Sequence, residues 1–168
     1  MSCAQICLFF TALLVWTLGT SSVGHTQTTQ AVTLPTAKLK VRIPKGWLPA
    51  KPHAYLSYEM LWFHPQGARI VVASTLLDPN DTMDAWLTRI REAARARKIT
   101  LSEPVLIHVA RTQAKRLAGK TRTHDVQFVV FWHGNRVVFI QFACELNNRA
   151  TCALDSDFSQ VLTSLEPL

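Results

Sequence analysis

The first thirty residues, MSCAQICLFFTALLVWTLGTSSVGHTQTTQ, hold no lysine, arginine, aspartate or glutamate. The apolar run within them, Ile6 to Leu18, is about thirteen residues long, whereas a membrane-spanning helix needs roughly twenty. An uncharged start, a short apolar run and then small and polar residues predict a secretory signal peptide over residues 1–24. Cleavage is expected after Gly24, where Ser22 and Gly24 supply the small side chains that a signal peptidase needs. The missing Lys or Arg ahead of the run departs from the usual layout, and an uncleaved anchor is the alternative reading of the same segment. No cysteine follows the run at a cleavage site, which argues against a bacterial lipoprotein anchor. The expectation is a protein that works outside the cytoplasm, periplasmic or secreted after cleavage, and that touches the membrane only transiently through this peptide.

Catalytic and metal motifs are equally scarce. There is no GxSxG elbow and no cysteine beside a suitable histidine, so no nucleophile is marked out. His25, His53, His64, His108, His124 and His133 are scattered without HxH, HxxxH or HExxH spacing, so neither a metal site nor a cofactor is predicted. The DPNDTMD stretch, with Asp78, Asn80, Asp81 and Asp84, lacks the glycine and terminal glutamate of an EF-hand and suits helix capping better. Asn80, Asp81 and Thr82 also make an N-x-T sequon, relevant only in a host that glycosylates. These absences favour a non-catalytic protein.

Acidic residues are outnumbered, 11 against 18 Lys and Arg, giving a formal net charge of +7. Because the signal carries no ionisable side chain, all of that charge belongs to the exported part. Such a surface favours anionic lipid head groups, cell-wall polyanions and acidic proteins. Nucleic acid is not expected, because the basic residues lack the aromatic interleaving of a single-strand binder and the chain is exported.

Of the four cysteines, Cys144 and Cys152 remain after cleavage. In an oxidising compartment they are expected to form a disulfide, whose short loop would contribute about 2.5 kcal/mol by chain entropy. CxxC spacing is absent, which argues against a redox pair.

Removing the signal leaves about 144 residues, one domain's worth. Residues 25–36, HTQTTQAVTLPT, read as a flexible leader and residues 37–168 as the domain. KLKVRI over Lys38–Ile43 alternates with period two, a strand with one wet face, and Pro44, Lys45, Gly46 and Trp47 end it. Tyr55–Phe63 and Ala68–Leu77 flank a Pro and Gly loop and predict a hairpin. Met83, Trp86, Leu87, Ile90 and Ala94 recur at helical spacing after Asp81 or Thr82, either of which can cap, so an amphipathic helix is predicted over Met83–Arg97. Strands follow at Val105–Val109 and Gln113–Ala118. The nearly all-apolar runs Val126–Trp132 and Val137–Cys144, joined at Gly134 and Asn135, predict a hairpin at the sheet centre with both faces covered. A last short helix carries Phe158, Val161, Leu162 and Leu165. The tryptophans Trp47, Trp62, Trp86 and Trp132 read as core.

That order predicts an α+β domain: an antiparallel β-sheet covered by helices, an α/β/α sandwich. Pro44, Gly46 and Trp47, the hairpin through Pro65 and Gly67, the helix after Asp81, the turn at Gly134 and Asn135, and FSQVLTSL at Phe158–Leu165 together make the chain resemble the PsbP-like superfamily, to which PsbP and DcrB belong. The resemblance covers roughly Lys38 to Leu165. It implies a protein that binds or assembles others, with no shared catalytic set to carry over and no family counterpart for the Cys144 and Cys152 pair.

The residues that stand out functionally are Arg89, Arg91, Arg95, Arg97 and Lys98 on the predicted helix and just past it. Arginine's planar fork pairs bidentately with carboxylate or phosphate, so these residues predict a docking face for an acidic envelope protein or an anionic surface. An ordinary solvated face has the same composition. Two rival readings make different demands: an envelope-polymer hydrolase needs converging ionisable groups of shifted pKa, and a small-ligand carrier needs a large apolar cavity beside the sheet.

Overall fold

The structure, a computed structural model, describes residues 29–50, 59–146 and 155–168. The alternation in LKVRI is realised in strand β2 (Leu39–Ile43), where Leu39, Val41 and Ile43 are buried while Lys40 and Arg42 face water. Strand β1 (Gln30–Leu34) pairs antiparallel with β2. This corrects the reading of residues 25–36 as a flexible leader: β1 lies inside that stretch because Leu34 is fully buried and Val32 packs on the same core. The remaining residues of the leader's start, the whole predicted signal and Cys152 lie outside the described residues.

The main sheet is built from β3 (Leu48–Pro49), β4 (Met60–His64), β5 (Ala68–Leu76), β6 (Thr100–Leu101), β7 (Val105–Val109), β8 (Thr112–Lys120), β9 (His124–His133) and β10 (Arg136–Glu145). Its order is β3-β4-β5-β10-β9-β8-β6, with β7 also pairing to β8. Its strand pairings among the described residues are antiparallel. The β9–β10 hairpin takes the central place predicted for it, and Gly134 makes its turn with φ +58°, a torsion that glycine adopts without strain.

Two cores lie on the two faces of this sheet. On one, helix α1 (Met83–Arg95) lays Trp86, Leu87, Ile90, Ala93 and Ala94 on Leu117, Phe128 and Val130. The Thr82 hydroxyl caps the helix, accepting from the Ala85 N–H at 3.1 Å. On the other face, helix α2 (Asp155–Thr163) contributes Phe158, Val161 and Leu162 to a core with β2 and the sheet residues Ile70, Val72, Phe131, Ile140 and Phe142. Each such side chain taken from water stabilises the fold by about 1.5–3 kcal/mol. The second layer is not helical throughout, because β1, β2 and β11 (Glu166–Pro167) form a three-stranded sheet beside α2.

Trp47, Trp62 and Trp86 are core residues, while Trp132 is only partly buried at the margin. Trp47 stitches the layers together: its indole N–H donates to Asp157 at 2.9 Å across 110 residues of chain, and its ring meets Phe142, which stacks on Phe158. No helix among the described residues is long and apolar enough to cross a membrane.

Candidate docking surface

Helix α1 turns about 100° per residue, and its buried stripe therefore divides its arginines. Arg89 leaves the helix on one flank of the stripe, while Arg91 and Arg95, four residues apart, leave on the other. The five cations picked out in the sequence do not form one continuous face.

Arg89 is committed within the molecule. Its Nη1 meets Asp81 Oδ1 at 2.9 Å, and its guanidinium lies 5.0 Å from the centre of the Trp86 ring, a cation–π distance. Burial would raise the Asp81 carboxyl, but hydrogen bonds from the Asp78 N–H and from Arg89, together with the Arg89 charge, outweigh it and hold that carboxyl below its ordinary value. Arg91 is partly committed: its Nη2 meets Glu103 Oε2 at 2.7 Å and the Ser102 carbonyl at 3.4 Å. Glu103 itself is 88% exposed, so this pair is a wet one with modest attraction.

The helix ends earlier than the predicted Arg97. Ala96 is its C-cap, with its N–H bonded to the carbonyls of Glu92 and Ala94, and Lys98 takes a left-handed torsion, φ +59°. That reversal carries Ile99 back into the core at 2% exposure, bonded through its N–H to the Ala94 carbonyl at 3.0 Å. Arg97 therefore lies just past the helix, half-buried, and Arg95 and Lys98 are exposed. Neither Arg95 nor Lys98 has a carboxylate partner among the described residues. The outward side also carries the exposed Glu92. The cationic surface available to a partner is thus the Arg91 and Arg95 flank and the Lys98 turn.

A cavity of about 520 Å³ opens on the α2 side near the end of β8, β9 and β10, lined by Ala118, Lys120, Asp125, Gln127, Phe142 and Cys144 among others. Gln127 donates to Asp155 at 2.7 Å, and Lys120 pairs with Asp125 at 3.3 Å. Cys144 is buried on β10 at 3% exposure; its expected disulfide partner, Cys152, is outside the described residues.

Sequence reasoning missed a buried charge at this end of the sheet. Arg69 is 6% exposed, and desolvation pushes its guanidinium down to about 10 against the opposing pull of Glu145, still protonated at neutral pH. The only sequence signal was one arginine in the apolar first half of the strand ARIVVASTL. His124 is lowered by burial and then by Arg69, with Glu145 opposing. His64 is lowered by burial, with Asp157 opposing. The register puts His64 on the α2 face, in line with Trp62, and His124 on the α1 face, in line with Val126. The two shifted histidines do not converge on one point. Among the described residues, no three potential metal ligands gather in one place.

No protein-family model matches the chain, and no curated protein matches it. Solved structures do. Cyanobacterial PsbP (CyanoP) from Synechocystis sp. PCC 6803 superposes with a TM-score of 0.65 at 10% identity, over 88% of this chain and 98% of that one. The fold is PsbP-like. The Ran-binding protein Mog1p of Saccharomyces cerevisiae shares this PsbP-like arrangement at TM-score 0.55 and 10% identity, over 84% of this chain and 96% of its own. LpqN, involved in cell envelope biogenesis of Mycobacterium tuberculosis, gives 0.53 at 14% identity, over 86% and 87%. One PsbP-like scaffold therefore serves proteins described in quite different terms, and function has to be argued from surfaces.

Proposed function

We propose that the protein is an exported, non-catalytic binding or assembly factor of the cell envelope, docking to an acidic partner through the cationic flank and C-terminal turn of α1. The observation that carries this reading is the exposure of Arg95 and Lys98 without a carboxylate partner among the described residues, beside Arg91, whose only ion-pair partner there is the water-exposed Glu103. A net charge of +7 adds long-range attraction of the same sign. The Ran-binding and envelope-biogenesis descriptions of two PsbP-like structures are consistent with a binding role.

The test is co-isolation of the tagged full-length protein from its native envelope at low and moderate salt, comparing the natural chain with Arg91→Gln/Arg95→Gln/Lys98→Gln. The triple variant should keep its fold and lose a specific, salt-sensitive partner. Unchanged association would sink the reading.

The cavity of about 520 Å³ beside Phe142 and Cys144 supports a second reading, a small-ligand carrier. It predicts an apolar small molecule carried through purification and lost on filling the space, for example with Ala118→Phe. The docking variant would leave that cargo in place.

A further inference from the structure

We infer that the edge strand β7, Val105–Val109, is a strand-addition site for an extended segment of a partner protein that presents acidic and apolar residues on both of its faces. The inference rests on the binding role proposed above and names what the partner presents. Strand β8 takes β9 on one side and both β6 and β7 on the other. Among the described residues β7 therefore pairs along one side only, which leaves a row of backbone N–H and C=O groups facing outward as a template for another strand.

The side chains at that edge fit an apolar and acidic guest. Val105 is 60% exposed and Leu106 49%. As neighbours in a strand they point to opposite faces, so the edge offers an apolar contact above and below an incoming strand. The register places Arg116 opposite Val105 and Lys115 opposite Leu106, and Arg111 is exposed at the turn between the strands. Neither β7, VLIHV, nor β8, TQAKRLAGK, contains an acidic residue. Helix α1 extends the same charge: Arg91 grips Ser102 and Glu103 in the connection leading into β7, and Arg95 follows one turn later on that flank. A second copy of this chain is a poor guest, since pairing β7 with β7 would bring these cations together.

The opposite edge shows what a guarded edge looks like here. Strand β3 is two residues long and ends in Pro49, which cannot donate to a ladder. Strand β7 runs five residues with no proline inside it.

The experiment uses the exported protein and three eight-residue probes: a peptide repeating Glu-Glu-Val-Val, which presents both residue types on each face, one repeating Lys-Lys-Val-Val, and the first peptide with every backbone nitrogen methylated. Binding and amide hydrogen exchange are measured together. The Glu and Val peptide should slow exchange at Val105–Val109. The Lys and Val peptide and the methylated one should bind at least tenfold more weakly. Val105→Asp/Leu106→Asp, at two exposed positions, should weaken the Glu and Val peptide at least tenfold, and Lys115→Glu/Arg116→Glu should reverse the preference towards the Lys and Val peptide. Protection elsewhere or nowhere, or equal binding of the methylated peptide, overturns the inference. If β7 takes no peptide while the α1 variant still loses its envelope partner, only the strand-addition site falls; if both fail, the docking reading falls with it.

Discussion

Arg91 Nη2 meets Glu103 Oε2 at 2.7 Å, and this contact fastens the cationic flank of α1 to the connection that enters edge strand β7. It brings the helix surface and the sheet edge into one region, so a partner that engages one is presented with the other. Glu103 also occupies Arg91 in the unbound state. Removing it by Glu103→Gln should cost no more than about 1 kcal/mol of stability, because the pair is exposed. The same change should tighten association with an acidic partner, by a few-fold in titrations at low salt.

The pair on the other flank behaves differently, because the Asp81 side chain is only 6% exposed. Asp81→Asn should lower stability by about 1 kcal/mol, read by chemical denaturation, without affecting partner capture. The Asp81 carboxyl sits below its ordinary value, so its contribution is complete above the unfolded carboxylate pKa. It is lost as pH falls through the folded value. In Asp81→Asn that acid-side loss should be smaller than in the natural chain.

His64 and His124 give a second pH dependence, nearer neutrality. Both are lowered, first by burial, so the fold favours the neutral ring. Their stabilising contribution is present above the ordinary value near 6.5 and declines as pH falls from there towards the folded values. Denaturation midpoints should drop between pH 7 and 5, and His64→Gln/His124→Gln should flatten that part of the profile.

Gly119 marks where β6 closes on β8. A Cβ there would lie 2.7 Å from Leu101 Cδ2 and 2.8 Å from the Thr100 carbonyl oxygen, and the backbone oxygen cannot rotate away. Gly119→Ala should cost about 1–3 kcal/mol through overpacking and raise hydrogen exchange at Thr100 and Leu101 first.

Trp47 tests the stitch between layers. Trp47→Phe keeps most of the apolar bulk but removes the donor to Asp157, and should cost about 1 kcal/mol. Trp47→Ala also empties a fully buried site and should cost about 3–5 kcal/mol. The difference between the two midpoints separates packing from hydrogen bonding.

The elements legible in the sequence are those whose own side chains declare a period. LKVRI alternates, and the helix from Met83 carries its apolar stripe at three and four residue steps. The nearly all-apolar runs around Gly134 signal a strand pair covered on both faces. What was hidden depends on distant partners. Strand β1, QAVTL, lies within a Thr-rich polar stretch, and is ordered by its ladder to β2 and by burial of Leu34. The two-residue strands β3, β6 and β11 are too short to show any period. The arginines read as one set of free cations because the acids that engage two of them, Asp81 and Glu103, come from outside the helix. The exposed β7 edge was invisible because a strand's sequence does not say how many neighbours it has.

The measurement that tests the central claim most directly is site-specific photo-crosslinking in the native host, with the photoreactive residue at position 98 in one strain and at the exposed Ser159 position of α2 in another. The account predicts a discrete crosslinked partner of acidic composition from position 98, lost at moderate salt and in Arg91→Gln/Arg95→Gln, and none from position 159. The same partner from both positions, or a position-98 product insensitive to salt and to the arginine changes, would contradict it.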